Sequence, residues 1–476
     1  MNVLIVGNNE ANGYLGRRLR DEGFAVDTIA DPCDIDRVRR RDDEYIVITA
    51  EKEYSASSVI ITEKPTEKDA EFFGTKTLNI ADAGILESLK AVKGRARIVF
   101  MLDLFEETPE YLTAKALETA KALANAKKDV FFVSMFVKAA SDGTEQLYLE
   151  ARQSGVTFLK FESVNLNYND EQGRYIIKVS DGVLDTVIET PWLVTAGGTD
   201  FSSLSELGRK FRLTCEGGDE GGIASEFKYF LNPGLTTRKG IFYFSPGMAG
   251  TEVCEGLDRW LPVIINEIKQ ISKPADSGVH AHIDVQKCAF CYTCYRACRH
   301  AALEPDTAAG AMMCVENACM ACGACAAICP GNAISMVSEE EGLTADTIGS
   351  GRLTGCKVFC CENSAAVVMN EIACELGEDA EKLSFSEIPC GGRLGQEVIT
   401  AALTVYGKVL VAVCIDDACR HIDGGKRACK QVERVIAMLE KSGLYRKKVK
   451  CVKVSHAMPN VLEENVKSFL KESLDA

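Results

Sequence analysis

No apolar run in the 476-residue chain is long enough to cross a bilayer. The longest, such as Val409 to Ile415, fall well short of the ~20 residues a membrane helix needs, so direct membrane insertion is excluded. The N-terminus MNVLIVGNNE lacks a basic region and a small-residue cleavage site, and a cytoplasmic protein is expected. Positive charge is short as well: 54 Lys and Arg against 69 Asp and Glu leave a net charge of -15. That balance repels nucleic acid and anionic membranes and favours basic protein partners. Histidine is scarce, with five scattered residues. At 46% hydrophobic and 26% charged residues, the composition is neither disordered nor fibrous, and the length allows two to four domains.

Cysteine is plentiful and unevenly placed. Residues 1 to 287 hold only Cys33, Cys215 and Cys254, nine cysteines fall between Cys288 and Cys329, and nine more between Cys356 and Cys451. In a reducing compartment such a set points to metal or redox chemistry and away from disulfides. The distribution divides the chain into three: residues 1–272, 279–340 and 352–476.

The first part alternates strands and helices. Apolar runs at Val3–Val6, Tyr45–Ile48, Arg97–Leu102, Val130–Val133 and Val156–Leu159 read as buried parallel strands. Amphipathic helices follow over Pro109–Lys128 and Glu145–Gln153, antiparallel hairpins over Asn165–Thr190, and a long helix over Gly250–Ile271. Segments Ser272–Gly278 and Ser338–Gly355 read as linkers. After them, strands at Lys357–Cys361, Leu383–Ile388, Val409–Cys414 and Val449–Val454 alternate with helices at Ala365–Leu376, Leu394–Tyr406, Gln431–Leu444 and Val461–Leu470. Four strands with helical crossovers imply a small parallel sheet.

Cys288, Cys291, Cys294 and Cys298 form a CxxCxxCxxxC run, and Cys319, Cys322, Cys325 and Cys329, closed by Pro330, repeat it. Three thiolates on a tight loop hold three corners of an iron–sulfur cube, while the fourth ligates the other cluster. One 4Fe-4S cluster is therefore assigned to Cys288, Cys291, Cys294 and Cys329, the other to Cys319, Cys322, Cys325 and Cys298. Zinc, the competing reading, favours two CxxC pairs. Arg299 stands where the bacterial run has proline, and Cys314 reads as a small core residue.

In the last part, cysteines sit where strands end. The carboxyl ends of an open α/β sheet form its ligand crevice, so the side chains there converge. Cys361, Cys390, Cys414 and Cys419 are the candidate ligands of a 2Fe-2S cluster, with Cys360 an alternative to Cys361; Gly391, Gly392, Gly424 and Gly425 supply tight turns. Cys374 and Cys451 read as buried small hydrophobes.

The segments HIDVQKCAFCYTCYRACRHAALEP and CMACGACAAICPGNAIS resemble the ferredoxin insert of the A-type subunit of heterodisulfide reductase and its quinone-interacting relatives. FCCENSAAVV, IPCGGRLG and VCIDDACRHIDGGK, followed by KQVERVIAMLEKSGL, resemble the delta subunit of methyl-viologen-reducing hydrogenase. The resemblance extends more weakly through RIVFMLDLF and EQLYLEARQSGVTFLKFE to KGIFYFSPGMAGTEVCEGL. It implies a subunit relaying electrons among redox subunits of a heterodisulfide-reductase-like, hydrogenase- or formate-dehydrogenase-like, or membrane quinone module. In the delta family a further cysteine follows the first pair; here Ser364 lies near that position, which leaves the ligand set open.

Relatives of the A-type heterodisulfide reductase subunit carry FAD on an N-terminal dinucleotide fold. Here the loop after the first strand runs Gly7-Asn8-Asn9-Glu10-Ala11-Asn12-Gly13, so asparagines replace the second and third glycines of GxGxxG, and Glu10 brings negative charge. Gly7, Gly13, Asp31 and Gly247 are the residues of a candidate FAD site; Asp31 before Pro32 reads equally as a turn residue. The helix after Leu102 opens with Glu106, Glu107 and Pro109, which argues against a nicotinamide nucleotide.

The expected architecture is multidomain α/β: a Rossmann-like FAD/NAD-type N-terminal region, an α+β bacterial-ferredoxin-like middle and a small parallel α/β C-terminal domain. The expected function is iron–sulfur electron transfer as an oxidoreductase subunit. The alternative is a self-contained FAD-dependent oxidoreductase that branches electrons between two acceptors.

Overall fold

The computed structural model describes residues 1–9, 11–41, 43–67, 71–72, 75–82, 84–104, 107–136, 143–214, 223, 234–244, 253–271, 278–337, 355–444 and 448–472. The expected linkers, apart from Gly278 and Gly355, lie outside these residues, as do Glu10 and Gly247.

The chain forms a multidomain α/β protein. Its first parallel sheet has the order Ile241–Tyr243, Ser58–Ile61, Asn2–Val6, Ala25–Ile29. Strand alternation sends Val3 and Ile5 to one face, under helices Asn12–Asp21 and Val253–Ile271, and Leu4 and Val6 to the other. That second face is covered by a three-stranded antiparallel sheet of Ile35–Arg41, Glu44–Thr49 and Glu53–Ala56, and by helix Ser202–Lys210.

The Tyr45–Ile48 run therefore corrects the expectation of a parallel strand: it is the centre of an antiparallel sheet. The connections on either side span only residues 42–43 and 50–52, whereas a parallel crossover needs a dozen or more. The third parallel strand is Ser58–Ile61, every residue of which is buried.

The same three-layer plan recurs in the second parallel sheet, ordered Leu78–Asn79, Trp192–Thr195, Arg97–Met101, Asp129–Ser134, Thr157–Lys160. Ile98 and Phe100 face helices Ile85–Lys90, Glu110–Asn125 and Thr144–Gln153, while Val99 and Met101 face the antiparallel meander Ser163–Asn169, Arg174–Ser180, Asp185–Thr190.

The cysteine-rich middle is held by two antiparallel ribbons, Ala281–Ile283 with Ile334–Met336 and Leu303–Asp306 with Ala311–Cys314. Its tandem repeat is written in the backbone. Left-handed residues fall at Phe290, Tyr292 and Ala301 in the first half and at Ala321, Gly323 and Asn332 in the second, each pair separated by the same 31 residues as Cys288 and Cys319.

The last part is a doubly wound four-stranded parallel sheet, ordered Leu383–Ile388, Gly355–Cys361, Gly407–Cys414, Lys448–Val454. Helices Gln396–Tyr406 and Gly424–Lys441 cover one face, and Ala365–Glu375 and Pro459–Lys471 the other. No helix among the described residues is long and apolar enough to cross a membrane.

Candidate metal centres

The C-terminal sheet brings four thiols together. Cys361 and Cys414 end two adjacent strands, Cys390 follows the strand ending at Ile388, and Cys419 follows the turn Asp416–Ala418. The thiols of Cys414 and Cys390 hydrogen-bond to Cys361 and Cys419. These bonds hold Cys361 and Cys419 below the ordinary thiol range and raise the two donors. Backbone amides point inward: Gly391 N donates to Cys361 Sγ at 3.1 Å and Gly392 N to Cys390 Sγ at 3.4 Å.

Glycine makes this convergence sterically feasible. A Cβ on Gly424 would lie 2.1 Å from Cys390 Sγ, and one on Gly391 would lie 2.5 Å from Val413 Cγ1. Cys360, the alternative to Cys361, faces the opposite side of the sheet, in the core with Val358 and Met369, because side chains alternate along a strand. Burial raises its thiol to about 12. Ser364 is buried, with its Oγ 3.5 Å from Cys414 Sγ.

In the middle part, the eight repeat cysteines line two hollows. One is lined by Cys288, Cys291, Cys294 and Cys329 together with Tyr292 and Pro330. The other is lined by Cys298, Cys319, Cys322 and Cys325. Each hollow thus holds three cysteines of one run and the last cysteine of the other. Matching amides serve the two exchanged cysteines: Ala302 N donates to Cys298 Sγ at 3.4 Å and Ala333 N to Cys329 Sγ at 3.3 Å. Four sulfurs around a hollow, with amides aimed at sulfur, fit an iron–sulfur cube.

Cys314, read as a small core residue, packs half-buried against the core of the middle part. It lines the second hollow, and its thiol hydrogen-bonds to Cys319, lowering Cys319 to about 6. Cys374 is exposed, and Cys429 and Cys451 are joined by a disulfide. Neither Cys374 nor Cys451 is the buried small hydrophobe expected.

The second hollow abuts the four-thiol site. Cys390 and Gly424 line it, alongside His300, His421 and Asp423. The Arg299 departure from the bacterial run has its explanation here: Arg299 Nε donates to Asp423 Oδ2 at 3.0 Å, while Arg427 pairs with the same carboxylate and donates to Ala297 O at 3.0 Å.

His300 and His421 are both buried, and burial depresses both imidazoles, His421 to about 3. Their nitrogens, His300 Nε2 and His421 Nδ1, are 2.9 Å apart, and His300 Nδ1 is 2.9 Å from Thr237 O. Because that carbonyl can only accept, the neutral pair is assigned with His300 Nδ1–H donating to Thr237 and His421 Nδ1–H donating to His300 Nε2. One ligand atom from each imidazole lies within 4.8 Å of Cys322 Sγ. No spacing in the sequence announces this pair, since residues 300 and 421 meet only through the packing of the middle part on the C-terminal sheet.

The middle part is also tied to the N-terminal region. Arg212 pairs with Glu304 at 2.9 Å and lies over the Tyr295 ring at 3.7 Å, and the buried Arg238 reaches the same carboxylate at 3.5 Å.

The N-terminal glycine loop is closed by its own side chains. Asn12 Nδ2 donates to Gly7 O at 2.6 Å, and Asn9, buried, accepts from Ala11 N at 2.9 Å and donates to Thr62 O at 3.3 Å. Asn8 N, an amide that would otherwise face a phosphate, donates to the Glu63 carboxylate at 3.2 Å, and Ser203 Oγ donates to the other Glu63 oxygen at 3.0 Å. Gly7 has φ of 122°, and a Cβ there would meet Glu63 N at 2.5 Å. Gly13 is exposed with open space around it, so it makes no close helix–strand approach. Asp31 caps its own turn through Cys33 N at 2.8 Å. These residues do not fit a pyrophosphate.

The second crevice is filled in the same manner: buried Asp103 accepts from Thr108 N at 2.9 Å and from Met135 N at 3.1 Å, bridging the ends of two strands. Glu63 carries no motif of its own in the sequence; the apolar run Ser58-Val59-Ile60-Ile61 just before it is the signal that places it at a strand end.

Residues 357–474 match the family model of the methyl-viologen-reducing hydrogenase delta subunit. No curated protein matches the chain. Among solved structures, the chain is similar to T. acidophilum thioredoxin reductase, with 13% identity over 56% of this chain and 97% of that one and a TM-score of 0.37. It is also similar to Lactococcus lactis thioredoxin reductase (13% identity, 56% and 99% covered, TM-score 0.34). A third is the HOCl-induced flavoprotein disulfide reductase RclA from Escherichia coli (11% identity, 60% and 75% covered, TM-score 0.34).

Proposed function

We propose that this chain is an iron–sulfur electron-transfer subunit of an oxidoreductase complex, with a dinucleotide-fold scaffold over residues 1–272 and two redox units over residues 279–340 and 352–476. In this reading a 2Fe-2S centre on Cys361, Cys390, Cys414 and Cys419 exchanges electrons with a 4Fe-4S centre on Cys298, Cys319, Cys322 and Cys325. That centre hands on to the second cube, on Cys288, Cys291, Cys294 and Cys329. The observation that carries the order is Cys390, which belongs to the four-thiol site and also lines the adjoining hollow. No other carrier is needed between the two centres. Arg393 and Arg427 beside that hollow offset the negative charge of thiolate-bound iron.

The N-terminal region, its loop closed by Glu63, serves as a docking scaffold. The match of residues 357–474 supports partners among hydrogenase- and heterodisulfide-reductase-type redox subunits, a formate-dehydrogenase-like or quinone module being of the same kind. The net charge of -15 suits a basic docking face on such a partner, in the cytoplasm. Iron and acid-labile sulfide in protein purified without oxygen provide the test. About ten irons per chain are expected, four in each cube and two in the third centre; fewer than about eight overturns the reading.

A further inference from the structure

Two cysteines lie outside all three centres yet sit beside one of them. Cys429 and Cys451 are joined, with Cα atoms 5.5 Å apart. Cys429 is on helix Gly424–Lys441, five residues from the Gly424 that touches the sulfur of Cys390, or about 7.5 Å along the axis. Cys451 is paired with Val411 on the neighbouring strand, three residues before Cys414, or about 10 Å away. Both sulfurs belong to the same packed layer as Cys361, Cys414 and Cys419. Both cysteines are half-buried, so protons from solvent reach the bond.

We propose that the Cys429–Cys451 disulfide is a fourth redox site of the chain, a two-electron store filled from the adjoining 2Fe-2S centre. The proposal rests on the electron-transfer reading given above. Every other centre in that reading passes one electron at a time. A disulfide accepts two: the sulfur–sulfur bond breaks, two electrons arrive singly from the four-thiol centre, two protons come from water, and two thiols result. The store therefore turns a one-electron wire into a source of electron pairs. Mechanical coupling accompanies it, because the bond ties the helix that begins at Gly424 to the strand beside Cys414.

The test uses the full chain with its clusters, reduced without oxygen by an electrochemically reduced viologen, a one-electron donor. Electrons consumed are counted, and free thiols are alkylated and located by mass. The wild type is expected to take up two electrons more than C429S/C451S, and to have Cys429 and Cys451 alkylated only after reduction. C414S and, independently, C361S are expected to slow that reduction at least tenfold. Equal electron uptake, alkylation of both cysteines before reduction, or an unchanged rate in C414S and C361S would each overturn the proposal. The alkylation pattern of the wild type does not depend on any variant folding. Failure of the electron-transfer reading itself is seen separately, as absence of the 2Fe-2S spectrum from the wild type.

Discussion

Gly424 offers a sharp test of the four-thiol site. It is the first residue of a helix, where alanine in open space would gain about 0.5–1 kcal/mol over glycine. Here the added Cβ would stand 2.1 Å from Cys390 Sγ and 3.5 Å from Cys419 Sγ. Ordinary contact needs about 3.5 Å, so the Cys390 sulfur must move by roughly 1.4 Å. A metal ligand tolerates about 0.2 Å. Overpacking costs about 1–3 kcal/mol, which the helix gain partly offsets, so the fold should survive while the centre is lost. G424A is expected to lose about two of ten irons, with the absorbance of the 2Fe-2S centre, and to keep both cubes. Gly13 is the control: nothing lies within 4 Å of a Cβ there, and G13A should retain all the iron. A G424A protein with the wild-type iron content and spectrum would refute the geometry assigned to Cys390.

Three further outcomes follow from the same structure. C361S should lose the two irons of the C-terminal centre while C360S keeps them; equal loss by iron analysis would contradict the facing of the two side chains. The imidazole of His421 is held at about 3, below its unfolded value near 6.5, so the unfolded chain takes up its proton first as pH falls. Stability is therefore lost on acidification, by about 2 kcal/mol between pH 7 and 5 from this residue alone, with His300 acting in the same direction. Denaturant unfolding of H300Q/H421Q should show a weaker dependence over that range, and an unchanged one would exclude the pair as its source. Acid-released flavin, measured with iron in the same sample, should stay far below one per ten irons; a ratio near that value would mean that Glu63 yields its place to a phosphate.

The two sets of four cysteines that line the hollows of the middle part were legible in the chain because they are mostly local. Three of each four lie on one loop, and spacing alone brings those sulfurs together, whatever the rest of the molecule does. The C-terminal strands and helices were legible for a similar reason, since their apolar periods are strong and the crossovers between them are long enough for parallel pairing. Tyr45–Ile48 was not legible as antiparallel because a continuous apolar run looks alike in a parallel strand and in the centre of a buried antiparallel sheet.

The amino-acid sequence by itself determined which residues carry thiols, how they are spaced and how charge is distributed. Only tertiary structure decided how distant residues meet. Strand parity selects Cys361 over Cys360, and the packing of the middle part on the C-terminal sheet sets Cys390 against the second hollow. The same packing joins His300 to His421 and gives Arg299 its partner in Asp423. Glu63, 55 residues from Asn8, becomes the anion of the glycine loop only when the sheet aligns their strands. Such encounters depend on chain folding over long separations, and no local pattern encodes them.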